Sequence, residues 1–152
     1  AIITHGHADH AKPGHKNVLA TSETIEIMKI RYGENCAENF QILPTNQSLK
    51  INDVLIKFFP AGHILGSVQV LTEYKGEKIN FTGDYKTISD QTCKDFEPVK
   101  CHTLVTEATF GLPVFQHPKE NECFLHLGAI LGAFLGYSGR YLGACWGVGF
   151  LF

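Results

Sequence analysis

Three histidines and one aspartate fall within six positions, His5-Gly6-His7-Ala8-Asp9-His10, directly after the apolar stretch Ala1-Ile2-Ile3-Thr4. No other feature constrains the chain as tightly. In an extended segment, residues two apart point the same way, so His5 and His7 can share one ion. A turn after them swings Asp9 and His10 toward a second ion nearby. Imidazole and carboxylate together suit zinc or another first-row metal such as manganese. Gly6 and Ala8 are small and let the backbone pass close to such ions. The alternative is a polar surface loop with chance histidines. Against it, four of the eight histidines lie in the first fifteen residues.

Length and composition bound the rest. The chain has 152 residues, 44% hydrophobic and 18% charged, which suits one globular domain. Disorder, collagen and coiled coil are excluded for its bulk. Lys+Arg 13 against Asp+Glu 15 leaves a net charge of −2, so no overall basic field exists to hold nucleic acid and any attraction for phosphate is local. Five cysteines, an odd count with no C-x-x-C pair, speak against a disulfide framework or a zinc ribbon. They fit a reducing compartment, and a cytoplasmic location is expected. The chain opens with a strand-like run rather than Met or a signal peptide, which is the pattern of a fragment whose earlier strands are missing.

Ala1–Thr4 and Asn17–Ala20 read as short strands. Thr21 or Ser22 can cap a helix that runs to about Tyr32, with Glu23 and Glu26 near its start and Gly33 at its end. Ile25, Met28 and Tyr32 recur at helical spacing and face the core. Strands are expected at Phe40–Leu43, Ser48–Ile51, Val54–Phe59, Val68–Tyr74, Lys78–Thr82 and Thr103–Glu107, with a hairpin turn at Lys75-Gly76-Glu77. Strands with one or two helices suggest a sheet-rich α/β layered domain.

Two further motifs sit at strand ends. In Pro60-Ala61-Gly62-His63, the histidine follows an apolar strand and stands between Gly62 and Gly66. It can complete a three-histidine set with His5 and His7, which leaves a coordination position open for water. A structural histidine is the alternative. In Phe81-Thr82-Gly83-Asp84-Tyr85, the aspartate sits at a strand tip. Alone it reads as a turn residue. Between two ions one carboxylate can bridge, because each oxygen binds one metal. Ser67 and Lys86 flank these motifs and are candidates for touching a phosphate, with surface or turn roles as the alternative.

As a set, THGHADH at 4–10, PAGH at 60–63 and FTGDY at 81–85 resemble the metallo-β-lactamase superfamily. The stretches PAGHILGSVQV, FTGDYKT, CKDFEPVKC and TEATFGLPVF are similar to the bacterial DNA ligase-associated exonucleases, in the β-CASP nuclease branch. The resemblance covers roughly residues 1–120. It implies an α+β fold, a four-layer αββα sandwich, here incomplete at both ends, with a two-metal site at its edge. It further implies that His5, His7 and His63 hold one divalent ion. Asp9, His10 and Asp84 hold a second, with Asp84 bridging; zinc is expected, with manganese as the other candidate. Asp9 can also orient the nucleophilic water, and Glu107 matches the acidic motif that opens the β-CASP region near 107–120.

The function implied is a metal-dependent phosphodiesterase, a DNA exonuclease of a repair system linked to an ATP-dependent DNA ligase. The alternatives are an RNA-processing nuclease of the same branch, a small-ester or thioester hydrolase on the same scaffold, and an inactive fragment. The family carries further downstream histidines, one a metal ligand and one assisting the leaving group. His117 and His126 stand in the wrong context for either.

Residues 121–152 differ in kind. From Phe124 onward there are seven glycines and a single formal charge, Arg140, and Gly128, Gly132 and Gly136 step by four. This resembles the small-residue face of membrane helix pairs and is long enough to span. A divergent end of the reading frame is the favoured reading, and membrane association is not expected.

Overall fold

A computed structural model describes residues 1–109, 111 and 112. The expected domain limit at 120 and the glycine-rich stretch 121–152 lie outside the described residues. Ala1–Thr109 form one compact unit.

The first element, β1 (His15–Ala20), pairs in parallel with β2 (Ala37–Ile42). Residues before β1 lie along its other edge. Ile2 bridges Leu19, the Leu19 amide donates to Ala1 O at 2.9 Å, and the Ile3 amide donates to Leu19 O at 3.0 Å. The strand expected at Ala1–Thr4 is therefore a bridge rather than a full strand, because its partner runs out at Ala20.

Between β1 and β2 lies α1 (Ser22–Tyr32). Thr21 is its N-cap, and its hydroxyl accepts from the Thr24 amide. Gly33 ends it with φ of 89°, its amide donating to Lys29 O at 2.8 Å. These limits match those expected from the caps. Thr24, Ile25 and Met28 form its buried face, and Tyr32 packs against the same cluster.

A five-stranded sheet follows in the order β3 (Ser48–Ile51), β4 (Val54–Pro60), β5 (Val68–Tyr74), β6 (Glu77–Phe81), β7 (Thr103–Val105). The first four pair antiparallel, and β7 joins β6 in parallel. Tyr74 pairs with Glu77, so Lys75 and Gly76 make the β5–β6 turn, with φ of 49° and 86°. Two positive φ values in a two-residue loop match the twist of the flanking strands.

Alternation along β1 orders the layers. Val18 and Ala20 pack with Ile25 and Met28 of the helix. Leu19 points the other way, into a cluster with Ile56, Phe58, Val68 and Val70 of the large sheet. The small sheet thus lies between α1 and the large sheet. The fold is mixed α/β, and the described residues supply one helical and two sheet layers. No helix among the described residues is long and apolar enough to cross a membrane.

Candidate metal centre

Two of the three motifs sit where strands end, and the first follows the Ile2 bridge. The THGHADH segment leaves the β1 edge after Ile3, and the Val68 amide at the start of β5 donates to Thr4 O at 2.8 Å. His63 lies in the turn from β4 to β5. Asp84 follows β6 by three positions. Gly83 before it has φ of 56°, and a Cβ there would stand 2.9 Å from Thr4 Cβ. The loops carrying His5 and Asp84 therefore touch at a position that only glycine fills without strain.

Three imidazoles converge. His5 Nε2 lies 3.1 Å from His7 Nδ1, and His63 Nε2 lies 3.2 Å from the same atom. One Asp84 oxygen, Oδ2, is 3.8 Å from His5 Nε2 and 3.7 Å from His63 Nε2. The donor atoms of these four residues all lie within 4.8 Å of one another. The other oxygen, Oδ1, is 3.4 Å from His10 Nε2, which is also 3.5 Å from Asp9 Oδ2. Asp84 stands between a three-histidine group and the His10–Asp9 pair.

The electrostatics favour the neutral form of two of these rings, His5 and His63. His5 is fully buried, and its pKa is lowered to about 3, first by burial and then by the neighbouring histidines. Burial, followed by His7, also lowers His63. Asp9 is held below the usual carboxylate range, chiefly by a hydrogen bond from its own backbone amide. A neutral imidazole has one N–H and one lone pair. His5 Nδ1 lies 3.1 Å from Thr4 Oγ1, and a proton on that nitrogen leaves the Nε2 lone pair facing the cluster.

A divalent cation fits this donor set. Zinc–nitrogen bonds of about 2.0–2.1 Å in a tetrahedron put neighbouring nitrogens about 3.3–3.4 Å apart. The observed separations of 3.1 and 3.2 Å are close to that edge. Neutral nitrogens with a single carboxylate oxygen form a mixed donor set suited to zinc or manganese.

The remaining sequence-derived candidates sit differently. Glu107 reaches the site through the backbone: its Oε1 accepts from the Tyr85 amide at 2.9 Å and its Oε2 accepts from Thr109 Oγ1 at 2.6 Å. Ser67 is 6% exposed. Its Oγ accepts from the amides of His63 and Ile64 at 3.1 and 3.2 Å, so its hydroxyl is turned to the backbone of the His63 loop. Lys86 pairs with Asp90 at 3.4 Å. Thr4 was not singled out from sequence, and its only signal there was adjacency to His5.

No family model matches the chain. It is 30% identical over 121 residues, 78% of its length, to a "Probable DNA ligase" of Opitutus terrae, of which it covers 12%. It is 29% identical over 134 residues, 74% of its length, to an "RNase J-like protein" of Methanocaldococcus jannaschii, covering 32% of it. Over 70 residues, 44% of its length, it is 40% identical to "Endoribonuclease ysh-1" of Neurospora crassa, covering 8%. The chain therefore spans between 8% and 32% of these relatives. It is homologous, over part of their length, to nucleases of the β-CASP branch of the metallo-β-lactamase superfamily.

Proposed function

We propose that the chain carries the metal centre of a phosphodiesterase, with His5, His7 and His63 holding one divalent ion, Asp9 and His10 a second, and Asp84 bridging. The observation that carries this reading is the division of Asp84, whose Oδ2 faces His5 and His63 and whose Oδ1 faces His10. When bound, a pair of such ions lowers the pKa of a shared water and neutralises charge on a phosphoryl group. The lowered pKa values of His5 and His63 favour rings that present lone pairs. Asp9, largely exposed beside His10, is placed to orient an attacking water. Glu107 holds the backbone that follows Asp84.

DNA is the proposed substrate, attacked from a strand end, in a repair system that includes an ATP-dependent ligase. The relative named as a probable DNA ligase supports this, since it matches over 78% of the chain. A second reading, cleavage of RNA, is favoured by the relatives named as RNase J-like and endoribonuclease. Among the described residues, no element that reads a 2′-hydroxyl separates them. Residues 1–120 are proposed as the metallo-β-lactamase-like domain, in a reducing, cytoplasmic setting.

The test is digestion of end-labelled DNA and of the matched RNA strand by the 152-residue chain with added zinc or manganese. Metal-dependent loss of DNA from one end supports the first reading. Faster loss of the RNA supports the second. Intact strands of both kinds, with folded and metal-loaded protein, contradict the phosphodiesterase reading.

A further inference from the structure

Helix α1 touches both loops that carry the converging imidazoles, one at each end. At its start, Thr21 Oγ1 donates to Gly66 O at 2.8 Å, and Thr24 Oγ1 donates to the same carbonyl at 3.2 Å. Gly66 lies three positions after His63, and a Cβ on it would come 2.7 Å from Glu23 Cβ and 2.9 Å from Thr21 Oγ1. The His63 loop is thus seated directly on the first turn of the helix. At the other end, Arg31 Nη1 donates to Gly6 O at 2.6 Å. Gly6 stands between His5 and His7, and a Cβ there would come 2.8 Å from Ile27 Cγ2. Arg31 is always charged, so this bond persists at any working pH.

We propose that α1 is a brace that sets the spacing between His63 and the His5–His7 pair, with Arg31, Thr24 and Thr21 as positioning residues for metal binding. The reasoning is geometric. The Gly6 carbonyl belongs to the peptide that leads into His7, so its orientation sets where the His7 ring points. The Gly66 carbonyl fixes the far end of the turn that begins at His63. A hydrogen-bonded helix between them is stiff along its axis, at about 1.5 Å per residue. His7 and His63 therefore meet at a distance set by the helix and not by loop flexibility. Residues that orient ligands in this way typically change metal affinity about 10- to 100-fold when removed.

The inference rests on reading the cluster as a metal centre, and its test separates the two. The 152-residue chain is titrated with Co2+ against a competing chelator, reading both the dissociation constant and the visible absorption bands that report coordination geometry. Far-ultraviolet circular dichroism checks the fold of each variant. Arg31→Met and Thr24→Val are expected to weaken Co2+ binding by about 10-fold or more and to alter the absorption bands. Arg31→Lys restores most of the affinity. Lys29→Met, in the same last turn but paired with Glu26 and Glu34, leaves affinity and bands unchanged.

Wild-type affinity and bands in folded Arg31→Met overturn the brace while leaving the metal centre intact. So does a Lys29→Met variant weakened as much as Arg31→Met. If Arg31→Met does not fold, Thr24→Val decides on the same readout. A wild-type chain that takes up no Co2+ refutes the metal centre, and the brace falls with it.

Discussion

His7 Nδ1 and His63 Nε2 lie 3.2 Å apart although 56 positions separate the residues in the chain. Two ring nitrogens this close share either one proton or one cation. His5 Nε2 stands 3.1 Å from the same His7 nitrogen, and one proton cannot join all three. Removing a ring therefore removes a donor and not a packing contact alone. His63→Ala is expected to lower zinc affinity by about 100-fold or more, beyond the 10- to 100-fold typical of outer partners. Competition with a chromophoric chelator measures it, and an unchanged affinity counts against His63 as a ligand.

The buried His5 ring makes the metal-free chain sensitive to acid. Its folded pKa of about 3 lies below the ordinary histidine value of 6.5. Between those values the unfolded chain binds more protons than the folded one, so stability falls as pH drops below about 6.5. Above 6.5 the contribution is fully present. From His5 alone the loss between about pH 7.5 and about pH 5.5 is on the order of 1 kcal/mol. Urea midpoints measured in chelator at the two pH values check this. His5→Gln flattens the dependence, and an equal slope in that variant contradicts it.

Ser67 is expected to act on stability and not on substrate affinity. Its hydroxyl accepts from two backbone amides of the His63 loop, and Ser67→Ala leaves both without that acceptor. The expected cost is about 1–3 kcal/mol in a denaturant titration, with KM for the proposed DNA substrate unchanged. A raised KM at unchanged stability restores a phosphate-binding role.

Glu107 divides its two oxygens between the Tyr85 amide and the Thr109 hydroxyl. Gln retains one acceptor oxygen, and Ala retains none. Glu107→Gln is therefore expected to keep most of the proposed phosphodiesterase rate, while Glu107→Ala loses about 10-fold, the low end for a supporting residue. Equal, large losses in both point to a need for the charge itself.

What local chemistry dictates was legible from sequence. Thr21 and Gly33 bound the helix because capping needs only neighbours in the chain, and α1 runs between them as read. The side chains that converge, His5, His7, His63 and Asp84, could be picked out because their motifs stand where apolar runs stop. Orientation at longer range was not. Ser67 sits beside a motif yet turns toward the His63 backbone, and nothing in its neighbours in sequence says so. β7 stops at Val105, short of the expected Glu107, because its partner β6 ends at Phe81, the residue paired with Val105. Thr4 acts through one hydrogen bond to a ring, and Arg31 through one to a carbonyl 25 positions away. Such bonds leave no periodic trace.

The most direct test is the metal content of the purified 152-residue chain after exposure to zinc and exhaustive dialysis, measured beside Asp84→Asn and a His5→Ala/His63→Ala double variant. The expected result is two zinc ions retained by the wild type, fewer by Asp84→Asn, and none held tightly by the double variant. A folded wild-type chain that keeps no zinc, or a double variant that keeps as much as the wild type, contradicts it.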